Sequence, residues 1–150
     1  MITKLDNAND FIAQQIYTIF QRSYKIEAEL IGTLNFPPLS RTRNDIQSSQ
    51  THFYGLYIDE LLAGAIELAI SNEGLEINSL VVDPDHFRKG IADKLISYAL
   101  THDIATAIVE TAVVNEPAIK LYKKHGFVEF KRWTPEHGIE KLAMVKSRNV

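Results

Sequence analysis

The chain has 150 residues, 45% of them hydrophobic and 23% charged, with a formal net charge of −3. That length and balance predict one globular domain, 1–150, with enough material to bury a real core. The mild acidity offers no general electrostatic footprint for nucleic acid, and the absence of cysteine excludes disulfides, thiolate zinc sites and a cysteine nucleophile.

The opening residues lack the long apolar stretch of a signal peptide, and no apolar run approaches the ~20 residues of a membrane span, so a soluble cytoplasmic protein is expected, with no membrane partner. Ile2 to Leu5 reads as a short strand. Asn7 to Asp10 offers helix N-caps. Ile12, Ile16, Ile19 and Phe20 then recur at helical spacing, giving a helix to about Ser23 or beyond, with Gly32 as the stop. The prolines at 37 and 38 forbid regular helix, and Thr42 with Asp45 has the spacing of a capping box for a short helix to Ser48. From Thr51 the period changes to two. Strands are expected at His52–Ile58, Leu62–Ile70 and Leu75–Val82, joined by turns at Asp59-Glu60 and Asn72-Glu73-Gly74 as an antiparallel meander. A helix at about Gly90–Thr101, a strand at Ala105–Thr111, a helix at about Pro117–His125 and two strands at Phe127–Trp133 and Ile139–Lys146 complete one mixed α/β sheet.

The chemistry concentrates between Glu76 and Leu95. An apolar strand ends at Asp83-Pro84, and a basic, glycine-containing turn opens an amphipathic helix. Free backbone N–H groups and the positive end of a helix dipole then lie beside a strand end, which suits an anion such as a phosphate. The five histidines, at 52, 86, 102, 125 and 137, have no metal-ligand spacing, so no metal is expected.

Two segments, 25 positions apart (115 − 90), carry a family resemblance. Gly90-x-Ala92 after Val82-x-Pro84 resembles the Arg/Gln-x-x-Gly-x-Gly/Ala signature of the GCN5-related N-acetyltransferases, the GNAT superfamily. The run Asn115-x-x-Ala118-x-x-Leu121-Tyr122-x-x-x-Gly126-Phe127 resembles the second motif of that family. The resemblance implies a GNAT fold: a mixed, mostly antiparallel sheet, splayed between its fourth and fifth strands and flanked by helices. It implies an acetyl-CoA-dependent N-acetyltransferase in which a primary amine, on a small molecule or a protein, attacks the thioester directly. Dimers are common in the family, which leaves a homodimer open. One departure stands out. Phe87 occupies the Arg/Gln position and Arg88 a usual glycine, so pyrophosphate contacts would fall to backbone N–H groups, Arg88 and Lys89. That departure is also the one hint of a different class of function, a non-catalytic CoA-binding regulatory module.

The resemblance assigns residues as follows. Phe87, Arg88, Lys89, Gly90, Ile91, Ala92 and Asp93 would cradle the pyrophosphate, and plain packing at a helix start is the other reading of Gly90 and Ala92. Leu80, Val81 and Val82 would line the cofactor arm, although any central strand has such a run. Tyr122 would donate a proton to the departing thiolate, and a core aromatic is the other reading. Asn115 is a cofactor contact, an N-cap, or both. Glu76, eleven positions before Phe87 (87 − 76), is the candidate base, with Glu67 as its rival. Alternation would set Glu76, Asn78 and Leu80 on one strand face. Tyr24, Phe36, Pro37, Pro38, His52, Trp133 and His137 are candidate lining of the acceptor pocket.

Overall fold

The computed structural model describes residues 2–148. The chain runs β1 (Ile2–Leu5), α1 (Asp10–Ile31), a 3-10 turn at Pro37–Ser40, α2 (Arg43–Ser48), β2 (His52–Ile58), β3 (Leu61–Ser71) and β4 (Gly74–Val82). A second 3-10 turn at Pro84–His86 leads to α3 (Ile91–Ala99), β5 (Thr106–Ala112), α4 (Glu116–Lys124), β6 (Val128–Trp133) and β7 (Lys141–Ser147).

Local chemistry accounts for most boundaries. The Asn9 side chain accepts from the Ile12 N–H to start α1, and Gly32 ends it in the left-handed conformation at φ 81°. The helix is thus a turn and more longer than its first apolar stripe suggests. Thr42 and Asp45 form the reciprocal capping box ahead of α2. Asp59 and Glu60 both have positive φ (51° and 68°), as the tight hairpin between β2 and β3 requires.

Seven strands form one sheet in the order β1-β2-β3-β4-β5-β7-β6. Every neighbouring pair is antiparallel except β4 with β5. That parallel pair is joined only from Gly74↔Thr106 to Ile77↔Val109. Beyond it the strands part, which is the expected splay. The sheet is therefore two blocks, β1–β4 and β5–β7, joined by a four-residue seam.

Each face has its own core. On one, Phe20 and Tyr24 of α1 and Ile46 of α2 pack with Phe53 and Val81. On the other, Ile91, Leu95 and Ile96 of α3 and Tyr122 of α4 pack with Ile66, Ile77 and Met144. The antiparallel pairing of β4 with β3 and the short parallel seam with β5 fix where the gap opens.

The alternation expected along β4 fails at one point. Glu67 faces Ser79 but Leu68 faces Ile77, so Asn78 is an extra residue, a β-bulge. Leu75 and Ile77 face the α3 core before it, and Leu80 and Val82 face that core after it. The even-numbered residues change sides at the bulge, so Glu76 and Leu80 do not share a face.

Candidate active site

A cavity of about 1030 Å³ fills the gap between the two blocks of the sheet. It runs from the turn before α3, past Leu80 and Val82 of β4, to Tyr122 of α4 and the Tyr24–Glu27 segment of α1. The strand supplies more than side chains. The Asp83 N–H donates to the Ala63 carbonyl at 2.8 Å, toward β3. Peptide directions alternate along a strand, so the N–H groups of Leu80 and Val82 point away from β3, into the gap. They are available to an extended polar ligand lying between the strands.

The turn before α3 is shaped to take an anion. Arg88 and Gly90 both have left-handed backbones, at φ 65° and 72°. For Arg88 that is an uncommon conformation of the kind found at functional sites. Gly90 is the N-cap of α3 and has no side chain to satisfy the first helical N–H groups. A Cβ built on Gly90 would meet nothing within 4 Å, so the space above these N–H groups is open. Beside it, the buried Nδ1 of His86 has no hydrogen-bond partner among the described residues, and His86 also lines the cavity. Open N–H groups, a positive helix end and an orphaned ring nitrogen fit a phosphate-bearing ligand.

Not every expected cradle residue faces the cavity. Phe87, Arg88, Gly90, Ile91, Ala92 and Asp93 do. The Phe87 N–H closes the preceding turn on the Pro84 carbonyl at 3.4 Å, so the free donors begin after it. Lys89 lies on the other side of the turn, in a shallow depression with Ile2, Tyr57 and Lys94. Val81 turns away from the cavity into the α1 core and is 1% exposed. The Asp93 carboxylate is 2.9 Å from both Lys124 Nζ and His125 Nε2, which tie α3 to α4 across the mouth of the cleft. These two hydrogen bonds hold its carboxyl below the usual range.

Tyr122 and Asn115 each have a structural contact and also line the cavity. Tyr122 is buried, with its ring edge-to-face against Phe127 at 5.7 Å, and it also lines the cavity. Burial, followed by the neighbouring Tyr24 and Glu27, pushes its phenol well above the ordinary value, so it remains protonated at neutral pH. Asn115 caps α4 by accepting from the Ala118 N–H at 3.3 Å, and it lines the cavity beside Tyr122.

The two glutamates expected as bases lie elsewhere. Glu76 is an exposed strand residue outside the cavity lining, because the bulge at Asn78 separates its face from that of Leu80. Glu67 is buried and fully engaged. Its carboxylate accepts from Arg41 Nη1 and Nη2 at 2.6 and 2.9 Å, from Thr51 Oγ1 at 2.6 Å and from Ser79 Oγ at 2.9 Å. Burial raises this carboxyl, but the Arg41, Thr51 and Ser79 contacts outweigh it and hold it below the usual range. Of the expected acceptor-pocket residues, Tyr24, Phe36, Pro37, Pro38 and His137 line the cavity. His52 instead sits 2.6 Å from Lys4 Nζ, and Trp133 lies under the ammonium groups of Lys131 and Lys141, both outside the lining.

Glu27 is one of the lining residues that reading the sequence missed, with Arg41, His86, Glu110 and Lys141. It is half-buried on α1, three residues after Tyr24 and seven after Phe20, so it shares their inward stripe. A carboxylate on an apolar stripe was the available signal. Burial pushes its carboxyl up, against the opposing pull of the Asn115 side chain and the Lys141 ammonium.

Residues 27–148 match the acetyltransferase (GNAT) domain. UPF0157 protein YqkA of Bacillus subtilis (strain 168) is 36% identical over 129 residues, or 85% of this chain and 38% of that protein. Streptothricin acetyltransferase of Escherichia coli is 31% identical over 130 residues, or 82% of this chain and 73% of that protein. The chain thus spans well under half the length of the Bacillus relative. Among solved structures, the PaiA N-acetyltransferase of Thermoplasma acidophilum in complex with coenzyme A superposes with a TM-score of 0.77 at 19% identity, covering 99% of this chain and 98% of that one. The ribosomal-protein-S18-alanine N-acetyltransferase of Escherichia coli gives 0.72 at 19% identity, covering 98% and 92%. These structures share the fold, and the domain match spans most of the sequence: the chain belongs to the GNAT acetyltransferase family.

Proposed function

We propose that this chain is an acetyl-CoA-dependent N-acetyltransferase that moves an acetyl group to a primary amine by direct attack. The observation that carries this reading is the continuous cavity of about 1030 Å³ linking the α3 N-terminus to the Tyr122 phenol through the strand gap. Coenzyme A complexes among the neighbours of the same fold support the choice of cosubstrate.

In this reading the N–H groups at Gly90, Ile91, Ala92 and Asp93, with Arg88, hold the pyrophosphate. The gap-facing peptides of Leu80 and Val82 hydrogen-bond the pantetheine arm, in the manner of a strand addition. One of these N–H groups also stabilises the oxyanion as the thioester carbonyl is attacked. Tyr122 gives its proton to the departing sulfur, which its raised phenol pKa permits at neutral pH. Lys89 supplies charge near the mouth rather than a direct contact. Direct attack suits a chain with no cysteine to carry an acetyl group.

The test is a thiol-release assay over a panel of primary amines, paired with calorimetric binding of acetyl-CoA. Tyr122→Phe should lower turnover by about 10²-fold while leaving acetyl-CoA affinity within about twofold of wild type. An unchanged rate removes Tyr122 from the acid role. Acetyl-CoA binding without thiol release on any amine would make the chain a CoA-binding module instead.

A further inference from the structure

The cavity has carboxylates from three residues, and two are already committed. Asp93 is held by Lys124 and His125, and Glu110 lies 3.1 Å from Lys141 Nζ. Glu27 has no ion-pair partner among the described residues, and the cation whose charge reaches it, Lys141, is the one already bound by Glu110. Arg41, the other cation at this end, is taken up bidentately by Glu67. The Tyr24 end of the cavity thus presents one uncommitted negative charge and no free positive one.

Its surroundings are apolar and stiff. Tyr24 and Phe36 meet edge-to-face at 5.8 Å, and Pro37 and Pro38 continue the same wall. Tyr24 is 8% exposed and its ring is fixed on its other side by Phe20 at 5.6 Å. A narrow apolar wall beside a lone carboxylate suits a cation carried on a hydrocarbon arm. Glu27 and Tyr122 line the same cavity, and the Glu27 charge helps to raise the Tyr122 phenol.

The geometry points to Glu27 as the anchor and proton acceptor for a primary alkylammonium substrate, with Tyr24, Phe36 and the Pro37-Pro38 wall enclosing its alkyl arm. This rests on the acetyl-transfer reading and adds the acceptor class and the base. The ammonium gives its first proton to solvent as it enters. The neutral nitrogen then forms the C–N bond at the thioester carbonyl carbon. As the C–S bond breaks, its electron pair stays on sulfur, and the sulfur takes the Tyr122 proton. Glu27 takes the surplus proton from nitrogen and returns it to the Tyr122 oxygen. The products are the amide and the free thiol, with one proton released to solvent. The carboxyl raised by burial is the better base for this transfer.

The test uses CoA-saturated protein, a panel of primary alkylamines, and anilines, which are uncharged at neutral pH. By calorimetry, wild type and Tyr122→Phe should bind an alkylamine, and Glu27→Gln should bind it at least tenfold more weakly. In thiol release, Glu27→Gln should lose about 10²-fold in kcat/KM for the alkylamine, which uses both anchor and base, and about tenfold for an aniline, which uses the base alone. Its acetyl-CoA affinity should be unchanged. Loss of acetyl-CoA binding by wild type would sink the acetyl-transfer reading itself. With acetyl-CoA bound normally, failure of every alkylamine to bind overturns the proposal. So does equal alkylamine affinity in Glu27→Gln and wild type, or an equal loss for alkylamine and aniline.

Discussion

Arg41 shows how a residue can sit in a functional cavity and serve the fold. Its guanidinium lines the cleft, yet its donors are spent on the Glu67 carboxylate, and the aromatic rings of Phe20 and Phe53 each lie 5.8 Å from it. Arg41→Ala leaves the Glu67 charge buried with only two hydroxyls for company. The expected cost is about 3–5 kcal/mol, read from urea unfolding at pH 7, because an unpaired buried carboxylate is far more costly than a missing surface pair. The same comparison explains which acidic residues could be judged beforehand. Glu76 looked suitable by position, Glu67 by its place on a neighbouring strand, and neither reading could see the hydrogen bonds that occupy one or the face that removes the other. The place of Tyr122, Asn115 and Gly90 on the cavity wall was anticipated through the family resemblance of the motifs that hold them. Glu27 was not, because its importance depends on which way the last two turns of α1 face.

At the level of elements, the seat of α3 on β3 decides how the cleft is shaped. Gly64 lies under the start of the helix, and a Cβ there would come within 2.5 Å of Ile91 Cγ2, 3.1 Å of Leu95 Cδ1 and 3.3 Å of the Val81 carbonyl. Ile91 is the first residue of α3, and its β-branched side chain is buried and has little rotamer freedom. Gly64→Ala should therefore lift the N-terminus of α3. We expect about 1–3 kcal/mol of destabilisation in urea unfolding and weaker coenzyme A binding by calorimetry. A substitution that lowers stability without touching binding would show that the turn holds its shape independently of the helix beneath it. Strand and helix order were readable from periodicity and capping. The insertion of β7 between β5 and β6 was not, since pairing order across a sheet leaves no trace in the alternation of a single strand.

The whole molecule carries a consistent acid response. Glu67, Asp83, Asp93, Asp45 and Glu129 all have carboxyls below their ordinary values in the folded chain. A depressed folded pKa contributes stability above the unfolded value of about 4, and that contribution is lost as pH falls through the folded value. Glu27, raised by burial, has the opposite sign. His52, held below its ordinary value by burial, takes away a little stability as pH falls below about 6.5. With five lowered carboxyls against one raised, the urea midpoint should ease slightly between pH 7 and 5 and fall steadily below about pH 4. A midpoint that stays level down to pH 3 would contradict this. The two cores on opposite faces follow from the amphipathic helices that cover them. Their meeting at an open seam was anticipated only through resemblance to a family.

The bulge at Asn78 has a consequence for how this cleft can vary. Strand β4 is read in two phases, one before Asn78 and one after, much as a reading frame shifts at an inserted letter. A substitution between Ser79 and Val82 alters one contact. Straightening the bulge with every residue kept, and Leu75 and Ile77 held in place, would re-address all four, turning Leu80 and Val82 from the cleft toward α1 and the Ser79 hydroxyl away from Glu67.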